Sequence, residues 1–191
     1  MPQRRRLSIS ISAAVFAAGL LVLGANWLRH VTLDGALLDA AGSGDAEMAQ
    51  ALLREGGDGN ARGGSGWTPL MTAAWEGRAP VLSLLLEGRV DLEARDMRGW
   101  TALMLAVARG NAEEAEALVA AGADVNASNH DGETVLMLAA RSGSISLTRL
   151  LIARGADHTA RDRKGETATI EANLKGYPRV ARALGDAGNH R

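Results

Sequence analysis

Few side chains in this sequence are able to do chemistry, and their spacing works against most of what they could do. The four histidines, His30, His130, His158 and His190, share no ligand spacing such as i, i+4, so they do not form a helical metal site. No serine lies in a nucleophile-elbow sequence. The chain has no cysteine, which removes disulfides, cysteine zinc sites and thiolate nucleophiles together and leaves the compartment open. The run Gly56 to Gly66 is rich in glycine but lacks the lysine and the following helix start of a phosphate loop, so it reads as a loose turn. His130 and Asp131 are adjacent, but they lie in a polar stretch where both are ordinary turn formers. Met71, Met104 and Met137 are soft thioethers of the kind that select copper. They recur on the face that must pack, however, which makes them core. The residues therefore point to no catalytic group, no cofactor, no metal and no small-molecule substrate. What remains is Trp67, Trp75 and Trp100 among arginines, the residue types enriched at interface hot spots.

The elements that position these side chains follow from an internal repeat. Gly66, Gly99, Gly132 and Gly165 lie 33 residues apart, and each is followed two positions later by Thr68, Thr101, Thr134 or Thr167. A second glycine series, Gly44, Gly77, Gly110, Gly143 and Gly176, keeps the same period through five units. Leu37, Leu70, Leu103 and Leu136 form a third series, and Asp58, Asp91, Asp124 and Asp157 a fourth. Each has a physical job. Threonine caps a helix start, and Pro69 suits the first helical residue. About eight residues later the second glycine can take the left-handed conformation that ends the helix. A second helix begins almost at once, marked by Pro80 and Pro178, or by Asn111 followed by Glu113 and Glu114 near the positive end of the helix dipole. Its apolar face is Leu52 and Leu53, Leu85 and Leu86, Leu118 and Val119, and Leu150 to Ile152. Gly122 and Gly155 end it. Arg89 stands in their place in the second unit, with Gly88 one residue early, so that turn should differ. The composition agrees: 47% apolar residues with only 3% aromatics and 23 glycines suits small helices meeting closely.

The predicted fold is an all-α solenoid of units at about 33–65, 66–98, 99–131, 132–164 and 165–191. The first unit lacks the threonine signature, and the last has Thr169 where leucine is expected and Gly185 within its second helix. Both read as caps, which a solenoid needs at its ends.

The pattern resembles the ankyrin repeat. Its Thr-Pro-Leu-His-x-Ala signature is approached by Thr68-Pro69-Leu70-Met71-Thr72-Ala73, Thr101-Ala102-Leu103-Met104-Leu105-Ala106 and Thr134-Val135-Leu136-Met137-Leu138-Ala139. Gly122-Ala123-Asp124-Val125-Asn126-Ala127 matches the repeat ending. Methionine replaces the usual histidine three times, so the hydrogen bonds of that histidine are lost, the position must be packed apolar, and the core should be softer. The resemblance implies a protein-binding module rather than an enzyme, with a concave surface of turn tips and inner helices. On it would lie Trp67, Trp75, Arg95, Met97, Arg98, Trp100, Arg109, His130 and Arg141, with Glu133, Arg161, Arg163 and Lys164 beside them. Trp67 and Trp100 could equally brace successive turns against each other.

Charge divides the chain. The first 30 residues carry Arg4, Arg5, Arg6 and Arg29 and no acid, whereas the remaining 161 hold 17 basic and 22 acidic side chains. An acidic body argues against nucleic acid, whose binders neutralise phosphates. Residues 1–6 form a basic segment, and Leu7 to Leu28 run 22 residues without a charge. As a helix this stretch would reach roughly 33 Å, enough for about 30 Å of bilayer hydrocarbon. Three arginines before it and only Arg29 just after it predict a cytoplasmic N-terminus. The chain is thus expected in the inner (cell) membrane as a single-pass protein, with its repeats in the periplasm. The alternative is a signal peptide cleaved near Ala25, giving a periplasmic or secreted soluble factor.

Overall fold

The computed structural model describes residues 32–188. The stretch Leu7 to Leu28, read as an anchor or signal, lies outside them. Among the described residues no helix is long and apolar enough to cross a membrane.

Residues 32–43 are helical (α1). They are followed by α2 (Ala46–Arg54), α3 (Pro69–Glu76), α4 (Ala79–Leu86), α5 (Ala102–Arg109), α6 (Ala112–Ala120), α7 (Val135–Ser142), α8 (Ile145–Ala153), α9 (Ala168–Leu174) and α10 (Pro178–Gly188). The described residues hold no strand, only an isolated bridge between Ser128 and Thr134. The helices fall into two layers. Inner helices stack in the order α3, α5, α7, α9 and outer helices in the order α2, α4, α6, α8, α10, and α3 with α4, α5 with α6, α7 with α8 and α9 with α10 each close one unit. The 33-residue period thus becomes one helical hairpin plus an extended finger.

Local chemistry places the inner helices as predicted. Thr68, Thr101, Thr134 and Thr167 sit at the N-caps in extended backbone, and each hydroxyl accepts from the amide three residues on. Gly77, Gly110 and Gly143 end α3, α5 and α7 at φ of 66°, 77° and 74°, where a side chain would be strained. The outer helices start less uniformly. Asp45 and Ser144 cap α2 and α8 through their side chains. Asn111 occupies the N-cap of α6 without capping it. Its amide instead donates to Ala74 O at 2.9 Å and Trp75 O at 3.0 Å, the C-terminal carbonyls of α3 in the preceding unit. The residue that marks a helix start in the sequence is therefore a bond between units.

The core is continuous. Leu70, Leu103 and Leu136, and Met71, Met104 and Met137, are all essentially inaccessible, and each such side chain contributes roughly 1.5–3 kcal/mol of burial. The apolar expectation for the three methionines holds at Met71 and Met104 and gives way at Met137. There the thioether accepts from the Thr134 amide at 3.4 Å while Thr134 Oγ1 accepts from the Met137 amide, a reciprocal cap.

The turn at Arg89 differs as its sequence implies. Gly56, Gly122 and Gly155 take φ of 97°, 98° and 85°. The next residue closes a bond back over the helix end, from Gly57 to Leu52 O, Ala123 to Leu118 O and Ala156 to Leu151 O. Arg89 stays out of the left-handed region. Its carbonyl still accepts from Asn60 Nδ2 of the first unit at 2.9 Å, as Gly155 O does from Asn126 Nδ2 at 3.3 Å.

Asn60 belongs to a ladder that the glycines and threonines do not announce. Asn60, Glu93 and Asn126, spaced by 33, accept from the amides of Asp91, Asp124 and Asp157 one unit further on, at 2.7–2.8 Å. Those aspartates belong to the fourth sequence series. The carboxylates of Asp58, Asp91, Asp124 and Asp157 in turn fold their own turns by accepting from the amide two residues later.

Candidate binding surface

The fingers that carry most of the predicted site residues are held by one repeated device. Asp96 Oδ1 accepts from the amides of Arg98 and Trp100, Asn129 Oδ1 from Asp131 and Glu133, and Asp162 Oδ1 from Lys164 and Glu166. Each acceptor organises a tip in which the following glycine, Gly99, Gly132 or Gly165, turns the chain at φ near 80°. Neighbouring tips are then sewn together, His130 donating its amide to Arg98 O and Arg163 to Asp131 O, both at 3.0 Å. Positions 96, 129 and 162 form a column of Asp or Asn at the 33-residue period, outside the glycine, threonine, leucine and aspartate series above.

Onto this frame the structure brings three of the predicted residues into one cluster. Trp67 and Trp75 meet edge to face, ring centroids 5.7 Å apart at 66°. The Arg109 guanidinium lies over the Trp75 ring, 4.7 Å from its centroid. Register alone would set Ala108 beside Trp75. Arg109, the last residue of α5, reaches back across the inner face instead. Trp67 also donates Nε1 to Asp96 Oδ2 at 3.1 Å, so it braces the next finger while one edge of it faces Trp75. The same carboxylate lies 3.8 Å from Arg98 Nε, and the Arg98 guanidinium sits 5.3 Å from the Trp100 ring centre. Asp96 is buried and thus joins the Trp67–Trp75–Arg109 cluster to the Arg98–Trp100 pair.

The other predicted residues lie apart from this cluster. Met97 stands at the fingertip, 75% exposed. Arg95 directs Nη1 to Gly99 O in its own finger and to Ser128 O in the next, as Arg62 does one unit earlier with Gly66 O and Arg95 O. His130 is exposed, and its ring edge closes over Gly99. Arg141 forms a separate ionic cluster with Glu133, which it bonds directly, and with Glu171 at 3.6 Å.

Electrostatics are most strongly perturbed at that ionic cluster. Burial works to raise the Glu133 carboxyl. Hydrogen bonds from Arg141 and Asn129 and the charges of Arg141 and Lys164 outweigh it and hold the group below its ordinary 4.5. Burial likewise works to lower Arg141, and Glu133 overcomes it, so the guanidinium is held charged. A carboxyl lowered in the fold contributes stability above its unfolded pKa, and that contribution is lost as pH falls through the folded value. Arg141→Met is therefore expected to cost about 1–2 kcal/mol at neutral pH. Below pH 4.5 the wild type loses stability faster than the variant and the gap closes. Urea titrations at a series of pH values measure this. A gap unchanged in acid would assign the loss to packing of the arginine stem.

Among the described residues no group of three or more His, Asp or Glu is placed to hold a metal ion. The site is a surface of fingers and inner helices on a two-layer helical solenoid, rich in tryptophan and arginine. The family model for ankyrin repeats (3 copies) matches residues 37–129 and 115–190. The chain belongs to the ankyrin repeat family, whose members are interaction modules and generally not enzymes. No curated protein is matched by the chain.

Proposed function

We propose that the protein binds or scaffolds a protein partner through the concave face of its repeats while residues 7–28 tether it to the outer face of the inner membrane. The observation that carries the binding reading is the Trp67–Trp75–Arg109 cluster. Tryptophan and arginine are among the commonest energetic anchors of interfaces, and here they are packed together, half-open to solvent, with Trp67 held by Asp96. Pull-down from cells with wild type and with the double variant Trp75→Ala and Arg98→Ala tests it. The double variant should lose the partner by tenfold or more, with its far-UV spectrum retained. A partner held equally by both would clear this face of the role.

The tether rests on the charge-free stretch Leu7 to Leu28 and on the arginines that precede it. Only Arg29 to His30 and Val31 separate it from the first described helix, so the partner would be membrane-bound or close to the membrane. A reporter active only in the periplasm, fused after residue 191, should be active; an inactive fusion sinks the topology. Intact mass separates the anchored chain from the alternative, a soluble factor released by cleavage near Ala25, because only the anchor keeps Met1-side residues.

A further inference from the structure

We infer that the segment recognised on this face is acidic, a peptide strand whose carboxylate docks on Arg109 beside an aromatic or aliphatic side chain lying against Trp75 and Trp67. The inference rests on the binding reading above and adds the chemistry of the partner. The described residues carry 16 basic and 22 acidic side chains, so a face that presents cations outward is a local inversion of the molecule's charge. The carboxylate that bonds Trp67 is already engaged. Asp96 is buried and accepts from two backbone amides and from Trp67. Glu133 is held by Arg141 and Asn129, and Glu171 lies buried against Arg141.

The cations are not engaged in the same way. Arg109 is exposed, and its side chain makes no hydrogen bond or ion pair among the described residues. Its contact is the Trp75 ring, 4.7 Å from the centroid, and its N–H fork meets no acceptor among the described residues. A planar fork held against a ring matches a carboxylate in bidentate fashion, and less side-chain freedom is left to lose on binding. Arg98 is two-thirds exposed, with only a 3.8 Å approach to Asp96, and its stacking on Trp100 extends the cationic surface along the fingers. Glu76, at the end of α3, is the one exposed acid of that helix, and it forms no ion pair with Arg109. It leaves the fork open and repels the proposed ligand.

The test uses the full chain in detergent micelles and a random peptide library displayed on phage. Selected peptides should carry Asp or Glu next to Trp, Tyr or Leu, and should be lost on Trp75→Ala. Their affinity should fall about tenfold with Arg109→Gln and by less with Arg109→Lys, which keeps the charge without the fork. It should rise with Glu76→Gln and fall with added salt. Neutral or basic peptides that still depend on Trp75 would overturn the acidic partner and leave the binding face standing. So would a single-stranded DNA oligonucleotide that displaces the selected peptides. Peptides indifferent to Trp75→Ala, or a library that yields no binder, would overturn both.

Discussion

Met104→Ala should lower the free energy of unfolding by about 2–5 kcal/mol, whereas Ile170→Ala, at the same position of the repeat, should cost less than about 1 kcal/mol. The two side chains occupy matching registers two units apart and follow the same threonine cap. Met104 is wholly inaccessible, held in α5 with α3 on one side and α7 on the other. Ile170 is 38% exposed, because α9 has an inner neighbour, α7, on one side only. Truncating Met104 removes a side chain with no solvent edge through which the site could relax, so the loss combines transfer and cavity terms. Met104→Leu separates volume from chemistry and should stay within about 1.5 kcal/mol, since the two side chains are close in size. Urea unfolding of each variant, followed by circular dichroism, reads the three values. Equal costs for Met104→Ala and Ile170→Ala would mean that the stack is not the source of burial at this position.

The contrast shows which part of the molecule its sequence made legible. Thr68, Thr101, Thr134 and the glycines that end the inner helices act locally, through a cap or a backbone angle, so a reading by type and spacing places the helices correctly. The aberrant turn at Arg89 was foreseeable for the same reason. The links between units were not. Asn111 looks like a helix start and serves the carbonyls of Ala74 and Trp75. Arg95 looks like a binding residue and directs its guanidinium to the carbonyls of two fingers. In both cases the partner is backbone, which carries no sequence signal of its own. The binding cluster was half legible: Trp67, Trp75 and Arg109 were all candidates. That Arg109 rather than its neighbour Ala108 covers Trp75 depends on the length and reach of its side chain, and the repeat register does not encode that.

The fingertip glycines give the second large effect, because four of them share one backbone conformation and differ only in what surrounds them. Gly66, Gly99, Gly132 and Gly165 have φ of 80°, 81°, 78° and 81°. The strain of placing alanine in the left-handed region is therefore common to all four, about 1–2 kcal/mol. Contacts then set the order. A Cβ at Gly99 would lie 2.7 Å from His130 Cδ2 and 3.0 Å from the His130 backbone N. That nitrogen is tied to Arg98 O, so the next finger cannot retreat without breaking the bond that joins the tips. At Gly132 the nearest atoms are backbone of Asp162 and Arg163 at 3.3 Å, and at Gly66 the Met97 N at 3.5 Å, an ordinary contact. At Gly165 nothing lies within 4 Å. Gly99→Ala should therefore cost about 2–4 kcal/mol, strain and overpacking together, with Gly132→Ala next and Gly66→Ala and Gly165→Ala near the strain value alone. The four midpoints of urea unfolding, taken with a common slope, give the ranking. If Gly165→Ala proved as costly as Gly99→Ala, backbone strain alone would govern the fingers, and the sewing of each tip to the next would contribute nothing measurable.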